Sequence, residues 1–301
     1  RVNVGGTHCV LKAAAAAGVA ACVYTSSYNA VFGGQVIEAG EEDAWPHCPV
    51  EEQVDEYSRT KTIAEQMVLS PNQGSGFSNV KRCAIRPAAI FGPGEERHLP
   101  RIVALARRGL VRFAIGRRDT LVDWVYIDNL VAAHVLAVGN LLSEYPTAHL
   151  EAFCISDDAP VNQFAFLAPL LRAVGAEPPA LFVPTWMMRM VAWVLEQLYA
   201  FRSCRPLFDV VPLLTRAEVN KVGVTHYFKM DKARRVLGYK VLVPHPDGLN
   251  RTAQRWEAWA KAESTRDGAQ PRAAAPRSGW LAVVAVCIAC FVLWYLLRQR
   301  P

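Results

Sequence analysis

The sequence predicts an α/β fold built on a doubly wound parallel sheet. Two observations predict it. Short β-rich runs alternate with segments of helical spacing through residues 1–160, the pattern of strands joined by crossover helices. The chain of 301 residues is 52% hydrophobic and 20% charged, apolar enough to bury a large core and too apolar for a disordered chain. That length suits one large domain or two smaller ones. Residues 1–160 are expected to form the sheet domain, contributing segments to a smaller, more helical one that occupies most of 161–262.

The elements follow in order. Residues 3–17 (NVGGTHCVLKAAAAA) predict a helix, and 20–25 (AACVYT) a strand ending at Ser26-Ser27. The polar, acidic stretch 33–54 reads as a loop over a site. From Asp55, the positions Tyr57, Ile63, Ala64, Met67 and Val68 give helical spacing. Val80 to Ile85 predicts a strand ended by Arg86-Pro87, and Gly92-Pro93-Gly94 a turn. Pro100 to Arg112 predicts a basic amphipathic helix, and Leu121 to Ile127 a strand. Asp128 is expected to cap a helix running to about Leu142. Cys154-Ile155 reads as a strand before a turn at Asp157-Asp158. Leu181 to Phe201 reads as an amphipathic helix of the second domain, core-packed or touching a membrane surface. As a bilayer span it would place Arg189 near the centre, at about 2.5–3.5 kcal/mol. Leu249 to Ala262 predicts a Trp-containing helix. His98, His134 and His226 are expected to pack.

The last forty residues differ in kind. Glu263 to Gly279 is rich in Ala, Pro and Arg without apolar periodicity, and reads as a linker. Trp280 to Leu297 holds no charge over 18 residues, about 27 Å of helix, near the hydrocarbon thickness. Trp280, Trp294 and Tyr295 sit near its ends, where aromatic rings favour the headgroup zone. A single membrane span follows as the expectation. The net charge is +6, but residues 261–301 carry +4 of it. The body therefore has no strong basic face, and nucleic acid is not expected as a partner. The eight cysteines show no zinc-type spacing and read as reduced thiols, mostly buried. The opening residues read as the middle of a domain, so the chain is expected to be N-terminally incomplete.

The sharpest chemical signal is Tyr57-Ser-Arg-Thr-Lys61. Residues four apart share a helix face, so an ammonium can stand beside a phenol. Free tyrosine titrates near 10, and a nearby cation favours the phenolate. Such a phenolate can take a proton from an alcohol while hydride leaves the same carbon. A second hydroxyl must hold the substrate oxygen, and Ser27, at the end of a predicted strand, is a candidate.

The ordered segments Asn3-Val-Gly-Gly-Thr7, Val23-Tyr-Thr-Ser-Ser27, Tyr57-x-x-x-Lys61, Arg86-Pro-Ala-Ala-Ile-Phe-Gly-Pro93, Val125-Tyr-Ile-Asp-Asn129 and Leu237-Gly-Tyr239 resemble the extended short-chain dehydrogenase/reductases. Cys83-Ala-Ile-Arg-Pro87 and Ile155-Ser-Asp-Asp-Ala-Pro160 resemble the 3β-hydroxysteroid dehydrogenase/isomerase branch. Gly33-Gly-Gln-Val36, Arg97 to Val103 and Gly223 to Phe228 look closest to short-chain dehydrogenase family 42E.

The resemblance implies a Rossmann-like sheet binding NAD or NADP, with NAD favoured, and a C-terminal substrate domain. By position, Tyr57 becomes the catalytic acid/base. Lys61 supports it and binds the nicotinamide ribose. Ser27, or else Ser26, holds the substrate oxygen. Asn3 supports the lysine, and Pro87 begins the segment that passes the nicotinamide. No metal is implied. The glycine-rich phosphate turn, G-x-x-G-x-x-G, would lie ahead of Asn3 with its βαβ unit, and Gly5-Gly6 and Gly33-Gly34 do not supply it. The expected activity is oxidation of a steroid or sterol 3β-hydroxyl. Sterol-4-carboxylate 3-dehydrogenation and a non-catalytic membrane-bound scaffold are the alternatives. The partners expected are an apolar steroid or sterol, a lipid bilayer at the endoplasmic reticulum, and a second copy of the chain.

Overall fold

A computed structural model describes residues 2–266 apart from 46, 54, 72–76, 78, 97–98, 108–110, 112 and 201–213. The expected span at 280–297, the linker from 267 onward and His98 lie outside the described residues. Among those described, no helix is long and apolar enough to cross a membrane.

The elements begin with α1 (Val2–Ala16), β1 (Ala21–Thr25), β2 (Ile37–Gly40), α2 (Glu56–Leu69), β3 (Lys81–Pro87) and β4 (Ala89–Phe91). Next come α3 (Leu99–Arg107), β5 (Phe113–Ile115), β6 (Trp124–Tyr126), α4 (Ile127–Leu141) and β7 (Ala152–Ile155). The chain continues through α5 (Gln163–Ala173), β8 (Leu181–Val183), α6 (Thr185–Ala200), α7 (Arg216–Gly223), β9 (His226–Phe228), α8 (Asp231–Leu237) and α9 (His245–Arg266).

The chain divides into two compact units. One comprises Arg1–Gly94, Leu121–Val161 and Thr225–Arg251; the other comprises Glu95–Thr120, Asn162–Val224 and Thr252–Pro301. The division is not a single cut near 160, since Thr225–Arg251 joins the sheet unit.

In the first unit β1, β3 and β7 form a parallel sheet in the order β1-β3-β7. Thr25 stands opposite Ile85, and Pro87 opposite Ile155. The central strand is covered on both faces, which is why Cys83, Ala84 and Ile85 are fully buried and its sequence runs without polar alternation. Arg86 lies within this strand and Pro87 is its last residue, so the strand runs past the expected end at Ile85. Asp55 caps α2, its carboxylate accepting from the Ser58 amide at 2.6 Å. Asp128 does not cap α4. The N-cap is Tyr126, and Asp128 lies in the first turn, where its charge still suits the helix dipole.

The stretch read as a loop contains β2, which pairs in parallel with β9. β4 pairs with β6. Gly40 is required where β2 meets β9, because a Cβ there would stand 2.8 Å from the Phe228 ring.

The second unit pairs β5 with β8. Leu181–Val183 is therefore a strand, and the helix expected from 181 begins at Thr185. Ile115, Met188, Ala192 and Val219 form its apolar centre. Arg189 turns to α7 and donates to Asn220 Oδ1 at 2.6 Å. α9 is longer than expected and includes residues 263–266 of the supposed linker.

Candidate active site

The first turn of α2 carries Tyr57 and the next turn Lys61, and both side chains are half-buried. The Lys61 ammonium donates to the Thr25 carbonyl at 2.7 Å, at the C-terminal end of β1. It also lies 4.9 Å from the centre of the Tyr24 ring, a cation–π distance. Burial pushes the Lys61 amine below its ordinary value, opposed by the negative charge of Glu65. Burial, with Glu65 and Tyr57 adding to it, pushes the Tyr24 phenol up to about 12. Tyr24 is thus held protonated beside the lysine.

Asn3 reaches this helix from α1. Its Nδ2 donates to Thr60 Oγ1 at 2.9 Å, on the residue preceding Lys61. Ser26 extends β1, its amide donating to the Ile85 carbonyl at 2.7 Å. Its side chain is 2% exposed, and Oγ has no partner among the described residues. Ser27 is half-buried and caps a short 3-10 turn, Oγ accepting from the Asn29 amide at 3.2 Å. Pro87 ends β3 beside that strand end. Tyr57, Lys61, Ser27, Asn3 and Pro87 therefore lie on elements that meet at the C-terminal edge of β1 and β3. A cavity of about 320 Å³ opens alongside, with Asn3, Tyr24, Thr25 and Lys61 in its lining.

Two groups around this edge had no sequence expectation. The first is the Thr25 carbonyl, a backbone group that every residue carries. The hydroxyl of Thr25 pairs with His134 Nε2 at 2.8 Å, and His134 Nδ1 meets the Leu130 carbonyl at 2.8 Å. His134 thus does more than pack. The second is a buried charged cluster. Glu65 Oε1 accepts from Arg86 Nε at 2.9 Å and Nη2 at 2.6 Å, and meets His47 Nε2 at 2.6 Å. Against the burial that would raise it, the Arg86 charge and these hydrogen bonds hold the Glu65 carboxyl down to about 2. The clue available in the sequence was Glu65 four residues after Lys61, on the same helix face.

Asp157, read as a turn residue, is 5% exposed. It accepts from the Tyr126 amide and the Asn129 side chain. His226 stacks on Phe32 with ring centres 4.1 Å apart. The cysteines are free where described: Cys48, Cys83 and Cys154 are buried, Cys22 is half-buried, and Cys9 is exposed.

Among the described residues, Lys61 and Pro87, the residues expected at the nicotinamide-ribose end, both lie at the C-terminal edge of β1 and β3. Gly5 and Gly6 lie inside α1, not at the strand-to-helix turn that presents amides to a pyrophosphate.

Solved structures share the fold at low identity. An epimerase, Mth375, from Methanothermobacter thermautotrophicus superposes with a TM-score of 0.60 at 20% identity, over 89% of this chain and 67% of that one. The UDP-glucuronic acid 4-epimerase of Bacillus cereus, in complex with UDP-glucuronic acid and NAD, gives 0.59 at 16% identity, over 85% and 68%. Both have the Rossmann-like parallel sheet. Among curated proteins, short-chain dehydrogenase/reductase family 42E member 1 of Danio rerio is 46% identical over 243 residues, 79% of this chain and 62% of the relative. The Mus musculus counterpart is 42% identical over 274 residues, 89% and 66%. The chain thus spans less than two thirds of these relatives' length. The sterol-4-alpha-carboxylate 3-dehydrogenase (decarboxylating) of Mus musculus is 35% identical over 254 residues, 84% of this chain and 68% of that protein. The profile of the 3-beta hydroxysteroid dehydrogenase/isomerase family matches residues 1–184. With well over half its length inside that profile, the chain belongs to the 3-beta hydroxysteroid dehydrogenase/isomerase family.

Proposed function

We propose that the protein is an NAD(P)-dependent oxidoreductase that oxidises the 3β-hydroxyl of a steroid or sterol. The observation that carries the reading is the Lys61 ammonium, fixed 2.7 Å from the Thr25 carbonyl one helical turn after Tyr57. Tyr57 takes the alcohol proton as general base, or gives one to a ketone in reverse. Lys61 supplies the positive charge beside the phenol and a donor for the nicotinamide ribose. Ser27 holds the substrate oxygen. Its exposure supports it over Ser26, whose Oγ is sealed from solvent. Asn3 steadies the lysine's turn through Thr60. The dinucleotide, when bound, supplies the hydride acceptor, and NAD is favoured.

A steroid or sterol is supported by family membership, by the sterol-4-alpha-carboxylate 3-dehydrogenase of Mus musculus at 35% identity and by the 3beta-hydroxysteroid-dehydrogenase/decarboxylase of Arabidopsis thaliana at 34%. These make a 4-carboxysterol the second substrate to assay. The pyrophosphate cradle is not among the residues described, so the assay uses a full-length form. There, Tyr57→Phe should abolish turnover while cofactor affinity is kept. Lys61→Ala should weaken both. Dehydrogenase activity retained by Tyr57→Phe would sink the assignment.

A further inference from the structure

The Glu65–Arg86 pair has no part in the chemistry just described, and stability does not explain it. Side-chain exposure is 0% for Glu65 and 4% for Arg86. Desolvating two such charges costs about as much as their attraction returns, and hydrophobic replacements are often neutral or stabilising. A buried pair of this kind specifies geometry instead. What it fixes follows from the topology. Lys61 and Glu65 are successive turns of one face of α2. The first is fastened to the end of β1 through the Thr25 carbonyl, the second to the end of β3 through Arg86. β1 and β3 are adjacent, with Thr25 opposite Ile85. Arg82 holds the far end of α2 through the Val68 carbonyl; the two fastenings at Lys61 and Glu65, on neighbouring strands, fix the rotation of the half that carries the lysine. Arg86 immediately precedes Pro87, so the same guanidinium ties the helix to that segment. His47 brings in the polar stretch between β2 and α2 as a third tie to the same carboxylate oxygen.

We propose that Glu65 and Arg86 are positioning residues for the reaction: their ion pair sets where α2 holds Lys61 relative to Ser27 and Pro87. The inference rests on the functional reading above. It explains why two Arg86 nitrogens converge on one Glu65 oxygen where a lysine could reach with only one. A displacement of about 1 Å at a reacting centre can cost on the order of 10²-fold in rate, with little change in fold stability.

The test uses three variants of the full-length enzyme, Arg86→Lys, Glu65→Met/Arg86→Met and Tyr57→Phe, assayed with a 3β-hydroxysteroid and NAD. Arg86→Lys keeps the charge and loses the fork; the double variant removes both charges without orphaning either. Each should keep its melting temperature within a few degrees and its KM for steroid, while kcat falls roughly 10- to 100-fold. A second readout needs no turnover: acetylation of the Lys61 amine by a small anhydride, followed by mass spectrometry and scaled to Lys229. Acetylation should run several-fold faster in both Arg86 variants as the amine leaves the Thr25 carbonyl. Unchanged kcat, or unchanged Lys61 reactivity, in a folded variant would overturn the proposal. Arg86→Lys alone decides it should the double variant fail to fold. Turnover retained by Tyr57→Phe would remove the catalytic reading, and the positioning claim would then stand or fall on Lys61 reactivity.

Discussion

Asn129 spends its whole amide on three residues distant in sequence. Its Nδ2 donates to Asp157 Oδ1 and to the Val243 carbonyl, both at 2.8 Å, and its Oδ1 accepts from the Leu242 and Val243 amides at 2.9 Å. That is the full capacity of the side chain at zero exposure. Asn129→Leu strands three backbone groups and takes one donor from the Asp157 carboxylate, and should cost about 3–5 kcal/mol in urea unfolding. Asp123 gives a pH-dependent prediction. Burial pushes its carboxyl from 3.8 up to about 7, although it accepts from the Phe228 amide at 2.9 Å. Between about pH 4 and 7 the folded state therefore holds a proton that the unfolded chain has released. This stabilisation is complete below the unfolded value and is lost as pH rises through 7. Unfolding free energy should fall by about 2–3 kcal/mol from pH 5 to pH 8, and Asp123→Asn should flatten that slope. Glu65 acts in the opposite sense, contributing above about pH 4.5 and losing it as pH falls toward 2. The sequence made Tyr57 and Lys61 legible because their spacing is itself the geometry. It left Asn129, Asp123 and the Thr25 carbonyl illegible, because their partners lie up to 114 residues away or belong to the backbone.

The long elements of the sheet unit could be read because each carries a local signal: apolar spacing in α2 and α4, and in β3 the apolar centre Cys83-Ala84-Ile85. β6 and β7 could be read as strands, but other short strands could not be. β2, β4 and β9 are held by partners remote in the chain, and three or four residues show no period. Polar content hid β2 further, since the residues around it are acidic. Where α2 ends, a different device appears. Arg82 is 2% exposed. Its guanidinium donates to the carbonyls of Val68, Ser70, Phe77 and Val80 at 2.6–3.3 Å. It therefore satisfies carbonyls at a helix C-terminus and ties Ser70, Phe77 and Val80 to β3. Arg82→Met should leave those carbonyls buried without donors and cost on the order of 3–5 kcal/mol. Thermal melting should show the loss, and proteolysis should first cut in the 70–80 segment. Early cleavage elsewhere, with 70–80 intact, would mean that Arg82 does not hold this segment.

For the whole molecule, the +4 charge and the apolar run both fall within 261–301. We propose a membrane anchor at 280–297, in the endoplasmic reticulum, with the body of the chain in the cytosol. In alkaline carbonate extraction the full chain should pellet with membranes and a chain ending at Gly279 should not. Equal release of both would exclude the anchor. The sequence reading put most of 161–262 in a second domain, because a linear reading assigns neighbours in the chain to one body. The chain passes between the units five times, at 94/95, 120/121, 161/162, 224/225 and 251/252. A gene split after Val161 would therefore deliver two fragments, each holding pieces of both units. The first would lack β9, α8 and the Val243 backbone that Asn129 grips; the second would lack β5, the strand that pairs with β8. Neither half is a heritable module. Expressed apart, both should be lost to degradation, and expressed together they should rescue one another.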